Sequence, residues 1–359
     1  MCTCRSFCRW LPVLFVVSLI AWCYVIFTLD VLQKEYLSLN PNDPPTEIGS
    51  HAQGVTYTVV FNTLFVLGMV SFVRAVFTDP GRIPDSWVYV DSVAQIPFKE
   101  AGTNVPPEAL ELTGERKQDG GFRICRKSKP NMYKPDRAHF CKMLSRCVLK
   151  MDHFCPWCAS ARALATCARA FAPRTPARPR KPLPPLTAAR FCATRTRARR
   201  LNNCIGFFNH KYFYLFIFYM ASLTVFMLVA MTPVFVRDVT SMQEADADFT
   251  HEFRVTLTYL VLCLLAIGLL GFWGFHTYLL LGNFTTIEFL EKRGCNPPPD
   301  HPPNRYDLGA YGNVCSVLGE LPLVWLLPSR VTCEGDGLSF NLNPDYIPNA
   351  LPNSFRKGV

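Results

Sequence analysis

Charged side chains are scarce in this chain of 359 residues: Lys, Arg, Asp and Glu make up 18% of it, and 50% of the residues are hydrophobic. Almost no charge falls within the four longest apolar stretches, which are 11–29, 55–76, 212–234 and 255–281. Each approaches or exceeds the roughly 20 apolar residues that cross a bilayer as a helix. One such stretch alone could be a buried core helix, but four together predict a multi-pass membrane protein.

The first apolar stretch lacks the small-residue cleavage site of a signal peptide, and Trp22 and Tyr24 lie inside it. The segments 30–54 and 235–254 are rich in acidic residues and poor in Lys and Arg. Because cytosolic loops carry an excess of Lys and Arg, we expect these two segments on the lumenal side and both termini in the cytosol. The expected location is the Golgi, another endomembrane or the plasma membrane.

Acidic residues are absent from 158–200, which contains ten Arg and one Lys among Ala, Pro, Thr and Leu. This segment accounts for the net charge of +10, since the rest of the chain is slightly negative. The basic balance therefore indicates no nucleic-acid partner. Without apolar periodicity, the segment cannot bury enough surface to offset its ordering entropy, and we expect it to be disordered.

A disulfide framework is not indicated either, although the chain has 16 cysteines. Most of them lie in the apolar stretches or in the middle loop, which we expect in the cytosol, where thiols stay reduced. The cysteines therefore point towards metal ligation, nucleophilic chemistry or lipidation.

The run D-H-F-C-P-W at 152–157 has the residue types of a thiol acyl-transfer site. A thiol is a good acyl acceptor only as the thiolate, so it needs a nearby base or cation. His153 can take the proton of Cys155, and Asp152 can orient the imidazole and stabilise its charged form. These residues predict ping-pong acyl transfer through a thioester on Cys155.

Further motifs surround this run. K-P-D-R-A-H stands at 134–139 and N-N-C-I-G-F at 202–207. The remaining motif positions are Asp79, Pro80, Gly81, Asn203, Asn209, Phe213, Thr285, Thr286, Glu288 and Asn313. With these motifs the chain resembles the DHHC family of membrane-embedded protein S-acyltransferases.

The resemblance implies an all-α multi-pass membrane protein with four transmembrane helices and a cytosolic, cysteine-rich catalytic loop between spans two and three. It implies an enzyme that moves a long-chain acyl group, palmitoyl above all, from acyl-CoA to cysteines of membrane-associated proteins. Its catalytic residues would be Cys155, His153 and Asp152. The expected order is a cytosolic tail at 1–10, span one at 11–29, a lumenal loop at 30–54, span two at 55–76, a cytosolic loop at 77–211 with the cysteine-rich domain at 122–213, span three at 212–234, a lumenal loop at 235–254, span four at 255–281 and a cytosolic tail at 282–359.

The family's cysteine-rich domain holds two zinc ions, each by three Cys and one His, but this chain departs from that pattern. The first ligand set falls on Cys125, Ser128, Phe140 and Cys147, and the second on Cys141, Leu144, Phe154 and Cys204. Each set lacks two ligands, including its histidine. We therefore expect no zinc, with Phe140 and Phe154 filling the space of the lost ligands. The alternative is a pair of partial sites completed by His139 or by lysine-bound water.

The segment 158–200 is the second departure, because the family runs from P-W through one residue into N-N-C. The codons of Trp157 and Cys158 necessarily contain the dinucleotide GT. If the codon of Arg200 is AGG, an AG closes the segment, and its removal would join Trp157 to Leu201 in frame. We hypothesise that 158–200 is a translated intron.

The weaker candidates form two groups. Lys134, Arg137 and Lys150 are candidates for the phosphates of CoA, and Phe216, Tyr219, Leu223 and Trp273 for the acyl chain. Ordinary solvated or packed side chains are the competing interpretation for each residue. Two functions are alternatives to the S-acyltransferase for the chain as a whole: a catalytically silent membrane scaffold and a small transporter. The transporter is disfavoured because the spans contain almost no ionisable residues.

Overall fold

A computed structural model describes residues 11–37, 50–84, 87, 115, 123–127, 132–156, 204–241, 249–294, 304–330 and 335–344. The segment 158–200, together with Ser128, Trp157 and Asn203, lies outside the described residues. The chain divides into two compact units. The helical unit consists of Met1–Ala75, His210–Glu334 and Asn341–Val359, and the ribbon unit of Val76–Asn209 and Gly335–Phe340.

Four long helices dominate the helical unit. They are α1 (Leu11–Ile26, continued as a π-helix over Phe27–Leu37), α2 (His51–Phe77), α3 (His210–Ser241) and α4 (Phe249–Leu281). Each contains a stretch long and apolar enough to cross a membrane, namely Val17–Leu37, His51–Phe77, His210–Thr240 and Phe249–Leu281. The expected fold class, an all-α multi-pass membrane protein, is thereby confirmed.

The core of the helical unit is built by aromatic and large aliphatic side chains that the four helices share. Phe27 and Phe61 are almost fully buried, with ring centroids 4.6 Å apart. Met231 of α3 and Leu262 of α4 are equally buried in the same cluster. Because these side chains are apolar, they fill the space between the helices without polar atoms to satisfy.

The helices extend beyond the apolar stretches because charged residues near their ends pair with each other. This ionic cluster comprises Asp30, Glu35, Arg237, Asp238, His251 and Arg254. It includes buried carboxylates in a part of the first helix that the hydropathy pattern assigned to a loop.

Two arginines neutralise the buried carboxylates of the ionic cluster. The guanidinium of Arg254 donates to both oxygens of Asp30, at 2.9 and 3.1 Å. Arg237 donates to both oxygens of Glu35, at 2.5 and 2.9 Å. The ring nitrogens of His251 lie 3.5 Å from Asp30 and 3.4 Å from Glu35. Bidentate pairing of this kind compensates much of the cost of removing carboxylates from water.

In the described part of the tail, two short α-helices, α5 (Thr286–Gly294) and α6 (Gly309–Leu318), and one 3-10 helix (Pro322–Val324) follow the fourth long helix. Thr285 and Glu288 form a reciprocal capping box at the start of α5, each side chain accepting the other's backbone N–H. Asn313 is fully buried and donates to the carbonyl of Leu281 at 2.7 Å. The family-like motifs T-T-x-E and Asn313 therefore fix the chain immediately after α4.

Three two-stranded antiparallel ribbons lie in the described residues of the ribbon unit. They pair β1 (Ile124–Cys125) with β2 (Met132–Tyr133), β3 (His139–Cys141) with β4 (Arg146–Val148), and β5 (His153–Phe154) with β6 (Cys204–Ile205). The strands have two or three residues each, so their pairing alone stabilises them little. The side-chain contacts between the ribbons must therefore contribute most of the order.

Candidate active site

Asp152, His153 and Cys155 lie together in the ribbon unit, as the motif predicts. The carboxylate of Asp152 is fully buried and lies 2.6 Å from Nδ1 of His153. The imidazole also hydrogen-bonds the thiol of Cys155, which is 4% exposed. This chain of contacts has the order carboxylate, imidazole, thiol, and it can deliver a thiolate next to an imidazolium.

Two opposing effects set the protonation of His153. Burial disfavours the charged imidazolium, but the hydrogen bonds to Asp152 and Cys155 outweigh it and raise the pKa of His153 to about 9. The imidazole is therefore charged near neutral pH. A charged imidazole beside a thiol favours the thiolate, the form that attacks acyl groups.

Strand pairing brings the N-N-C-I-G-F motif against the run that contains Asp152, His153 and Cys155. His153 stands opposite Ile205 and Phe154 opposite Cys204 in the β5–β6 ribbon, and the backbone N–H of Asp152 donates to the carbonyl of Ile205 at 2.9 Å. The cysteine of the N-N-C-I-G-F motif is thus brought next to the nucleophile across the ribbon.

The turn after β6 is fixed by Asn209, which is fully buried. Its side-chain oxygen accepts from the backbone N–H of Gly206 at 2.8 Å, and its amide donates to the carbonyl of Cys204 at 3.0 Å. A Cβ at Gly206 would lie 2.7 Å from both the carbonyl of Pro80 and a methyl of Val148. Only glycine fits there, which explains the glycine of this motif and its contact with the D-P-G turn.

The cysteines at the zinc positions implied by the resemblance form two pairs. Cys125 and Cys147 hydrogen-bond each other, and so do Cys141 and Cys204. The hydrogen bond from Cys204 lowers the pKa of Cys141 to about 6, and the same contact raises that of Cys204. Burial, followed by the contact with Cys125, raises the pKa of Cys147 to about 12.

The positions of the two lost histidines lie directly opposite a cysteine of the same set. Phe140 faces Cys147 across β3–β4, and Phe154 faces Cys204 across β5–β6. At the third position, Leu144 donates its backbone N–H to the sulfur of Cys141 at 3.5 Å. A structural zinc ion needs four ligands. The second set offers two thiols beside Leu and Phe, and the first offers two thiols beside Phe and a serine, which is a poor zinc ligand. The residues present do not fit zinc.

His139 does not complete either set in the described residues. Its ring nitrogen lies 3.3 Å from the guanidinium of Arg123. Within the described part of the chain, no group of three or more His, Cys, Asp and Glu is placed to hold a metal ion.

Comparison with known proteins tests the family resemblance. The family model described as DHHC palmitoyltransferase matches residues 120–161 and 199–293, and its match breaks off inside the segment 158–200. The matched residues are similar to the DHHC palmitoyltransferase family. The predicted resemblance is confirmed.

Several curated members of the DHHC family are similar over most of their length. The chain is 26% identical to palmitoyltransferase ZDHHC20-B of Danio rerio, over 94% of this chain and 84% of the relative. It is 25% identical to palmitoyltransferase ZDHHC15 of Rattus norvegicus, over 94% and 83%. A plant relative, probable protein S-acyltransferase 14 of Arabidopsis thaliana, is 28% identical over 81% of this chain and 80% of its own.

The three candidate CoA-binding cations do not share one environment. Lys134 lies at a ribbon edge, where its backbone N–H donates to the carbonyl of Arg123 at 2.7 Å. Arg137 and Lys150 are 1% and 4% exposed. Both lie against the ring of Phe340, at 5.3 and 5.9 Å from its centroid. Their burial favours a packing role over contact with a soluble phosphate.

The candidate acyl-chain residues all lie in the helical unit. Tyr219 and Leu223 are buried in its core, and the hydroxyl of Tyr219 donates to the carbonyl of Leu326. Phe216 packs on Phe72, with centroids 5.0 Å apart, and Trp273 on Phe218, at 5.7 Å.

Two features were missed by sequence reasoning. The ionic cluster has a signal in the sequence, since Asp30 and Glu35 directly follow an apolar stretch. Phe340 has only a weak one, the glycines Gly335 and Gly337 that precede it.

Proposed function

We propose that this chain is a protein S-acyltransferase that moves a long-chain acyl group, palmitoyl above all, from acyl-CoA to cysteines of membrane-associated proteins. The contact chain Asp152–His153–Cys155 supports this proposal most strongly. Similarity to the DHHC palmitoyltransferase family supports an acyl-CoA co-substrate and a protein acceptor. The lipid bilayer is the environment in which these partners meet.

The first half-reaction follows from the contacts of the three residues. The thiolate of Cys155 attacks the thioester carbonyl of acyl-CoA, and the bond from the carbonyl carbon to the CoA sulfur breaks. The CoA thiolate leaves and takes the proton from the imidazolium of His153. Asp152 holds the ring with Nδ1 facing its carboxylate, so the proton at the other ring nitrogen is the one that moves.

The second half-reaction reverses the roles of the same groups. Neutral His153 takes the proton of the acceptor cysteine, whose thiolate attacks the thioester on Cys155. The acyl group leaves with the acceptor, and Cys155 is again a thiolate beside the imidazolium. The raised pKa of His153 suits this cycle, because the charged ring is the resting state near neutral pH.

We propose that this reaction needs no zinc and that packing replaces the metal. Phe140 and Phe154 stand directly opposite Cys147 and Cys204 in the register of their ribbons, which supports this proposal. The ribbons then keep their register through hydrogen bonds and side-chain packing. No step above passes through a metal ion.

We further propose that both termini and the catalytic loop face the cytosol, in the Golgi, another endomembrane or the plasma membrane. The excess of Lys and Arg in those segments supports this orientation. Protease protection of tagged termini in sealed vesicles would test it: both tags should be digested without detergent.

We propose that 158–200 is absent from the functional enzyme. The break in the family match inside this segment supports the translated-intron hypothesis. Sequencing of transcripts across the junction tests it directly, and presence of the segment in every transcript would contradict it.

Acyl loading tests the proposed function. The chain as written and a joined form, with Trp157 followed by Leu201, are purified and incubated with labelled palmitoyl-CoA. The label should attach to the joined form, be released by neutral hydroxylamine, and be lost in Cys155→Ser. If neither form loads through Cys155, the transferase proposal fails and the membrane scaffold remains.

A further inference from the structure

The tail segment Gly335–Phe340 belongs to the ribbon unit, although more than a hundred residues of the helical unit separate it from Asn209. Within the ribbon unit, Gly337 and Phe340 of this segment make the contacts described below. A Cβ at Gly337 would lie 2.9 Å from the ring of Phe207 and 3.4 Å from Leu149. Gly337 has a φ of 76°, so both the close approach and the backbone conformation require glycine.

Phe340 contacts three segments of the ribbon unit at once. Its ring centroid lies 5.3 Å from the guanidinium of Arg137, 5.9 Å from the ammonium of Lys150 and 6.1 Å from the ring centroid of Phe207. Cations over a ring face are attracted by its quadrupole, most strongly when water is excluded. Arg137 and Lys150 are both almost fully buried, which is the favourable case.

Each of the three segments joins the backbone at 149–151, immediately before Asp152. The carbonyl of Arg137 accepts from the backbone N–H of Met151 at 3.1 Å, and Met151 precedes Asp152. Lys150 lies two residues before Asp152. Phe207 donates its backbone N–H to the carbonyl of Leu149 at 3.0 Å, in the turn that follows β6.

Arg137 and Lys150 also have left-handed backbone conformations, with φ of 60° and 41°. Such conformations are unfavourable for residues with a Cβ and persist only where surrounding contacts hold them. The ring of Phe340 lies on both side chains.

We propose that Phe340 is a positioning residue for acyl transfer: its ring holds Arg137 and Lys150, and through them the backbone that places Asp152 and His153 against Cys155. The inference rests on the proposed function for its kinetic readout. It assigns a role in the reaction to the C-terminal tail, which lies far from the catalytic motif in sequence.

The main test compares Phe340→Leu, which keeps an apolar side chain but loses the ring, with Phe340→Tyr, which keeps the ring. Both are made in the joined form, with Ser339→Ala as the matched control, because Ser339 is an exposed neighbour outside the contacts described. We expect Phe340→Leu to lower the loading rate at saturating palmitoyl-CoA about tenfold or more, since small misplacements of catalytic groups can cost about 10²-fold. KM for palmitoyl-CoA should change little, and Phe340→Tyr and Ser339→Ala should keep the rate.

A double-mutant cycle identifies the route of the effect. If Phe340 acts through Lys150, Phe340→Leu should cost far less in a Lys150→Met background than in the parent, because coupled residues are not additive. The proposal is overturned if the effects multiply, if KM rises while the maximal rate is unchanged, or if Phe340→Leu and Phe340→Tyr lose the same activity.

A second readout separates this inference from the proposed function. Alkylation of Cys155 by iodoacetamide, followed by mass spectrometry across pH, needs no acyl-CoA. Cys315, which is partly exposed and lies outside the ribbon unit, serves as the internal reference. Phe340→Leu should slow alkylation of Cys155 severalfold near neutral pH and leave Cys315 unchanged. If alkylation of Cys155 slows in Phe340→Leu while the parent protein does not load palmitoyl-CoA, the positioning role is supported and the proposed acyl transfer is refuted. Equal alkylation of Cys155 in the parent and in Phe340→Leu overturns the inference.

Discussion

Phe154 stands directly opposite Cys204 in the β5–β6 ribbon, next to the proposed nucleophile Cys155. The resemblance to the DHHC family implies that Phe154 takes the position of a zinc-ligating histidine whose ligand set includes Cys204. These two positions are paired across the ribbon, while two of the four implied ligand positions carry apolar side chains. The proposed nucleophile is adjacent to them, so the proposed order of the loop without metal is directly relevant to the proposed activity.

The first prediction concerns zinc. The joined form, purified without added metal, should contain far less than one zinc per chain, and a strong chelator should leave its acyl loading unchanged, because each set has only two thiols. Metal analysis by mass spectrometry measures this. One or two equivalents of bound zinc, or loading abolished by the chelator, would show that other residues complete the sites.

Restoring one site provides the matched comparison. Leu144→Cys with Phe154→His recreates three cysteines and one histidine in the second set, and this variant should bind about one zinc per chain. Leu144→Ser with Phe154→His, which changes the same positions but offers a poor ligand, should bind much less. Equal zinc in both variants would mean that the two positions do not face a common site.

The second prediction concerns the Asp152–His153 contact and its pH dependence. The pKa of His153 is raised from 6.5 to about 9, so the stability that this charged group contributes is fully present below about 6.5 and is lost as pH rises through about 9. Asp152→Asn removes the partner. Its deficit in melting temperature relative to the parent should therefore be larger at low pH than at high pH.

The same substitution should affect chemistry more than folding. Asp152→Asn should slow acyl loading by roughly 10²-fold or more, as expected when an imidazole loses the carboxylate that orients it. The melting temperature is followed by tryptophan fluorescence in detergent, and loading by labelled palmitoyl-CoA. A deficit in melting temperature that does not vary with pH would contradict the assigned protonation of His153.

The third prediction concerns the contribution of Asn209 to stability. Asn209→Ala leaves the N–H of Gly206 and the carbonyl of Cys204 without their side-chain partner in a buried turn. We expect a loss of about 1–3 kcal/mol in the free energy of unfolding. Asn209→Asp keeps the acceptor for Gly206 but places a carboxylate against the carbonyl of Cys204 in a fully buried site, so its loss at neutral pH should be at least as large. Chemical denaturation measures both, and an unchanged free energy of unfolding in Asn209→Ala would contradict the role of this side chain in the turn.

The fourth prediction concerns the ionic cluster. Glu35→Gln removes the charge that pairs with both guanidinium nitrogens of Arg237. Arg237 is partly exposed, so we expect about 1–2 kcal/mol of destabilisation, below the roughly 3–5 kcal/mol of a fully buried broken pair. Lys34→Ala on the same helix is the control, because Lys34 is 47% exposed and its pair with Asp30 should contribute less than about 1 kcal/mol. Thermal unfolding compares them, and equal effects would argue against a structural role of the cluster.

The sequence was sufficient to predict the four helices, and the three residues proposed for catalysis, Asp152, His153 and Cys155, lie together. Hydropathy reports a span directly, and a motif whose residues are neighbours in the chain is already assembled. The extension of the first helix to Leu37 was not predictable from local sequence, because Asp30 and Glu35 are neutralised by arginines of α3 and α4, which lie some 200 residues away. Whether such carboxylates end a span or remain inside a bundle depends on whether arginines of other helices lie beside them in the folded chain.

The same limit applies to Arg137, Lys150 and Phe340. Their charge suggested a phosphate site, since basic side chains are usually solvated. The structure buries both cations against an aromatic ring that comes from the C-terminal tail. A pairing between segments so far apart in the chain leaves no periodic pattern, and only the glycines before Phe340 indicate that this tail segment packs closely.

Localisation of the acyl group tests the central claim most directly. The joined form is loaded with palmitoyl-CoA, digested under conditions that preserve thioesters, and analysed by mass spectrometry, before and after a chase with a cysteine-containing acceptor peptide. We predict a palmitoyl thioester on Cys155 that disappears during the chase as the acceptor becomes acylated, and no transfer in Cys155→Ser. Acylation of other cysteines with Cys155 unmodified, or transfer that persists in Cys155→Ser, would contradict the account.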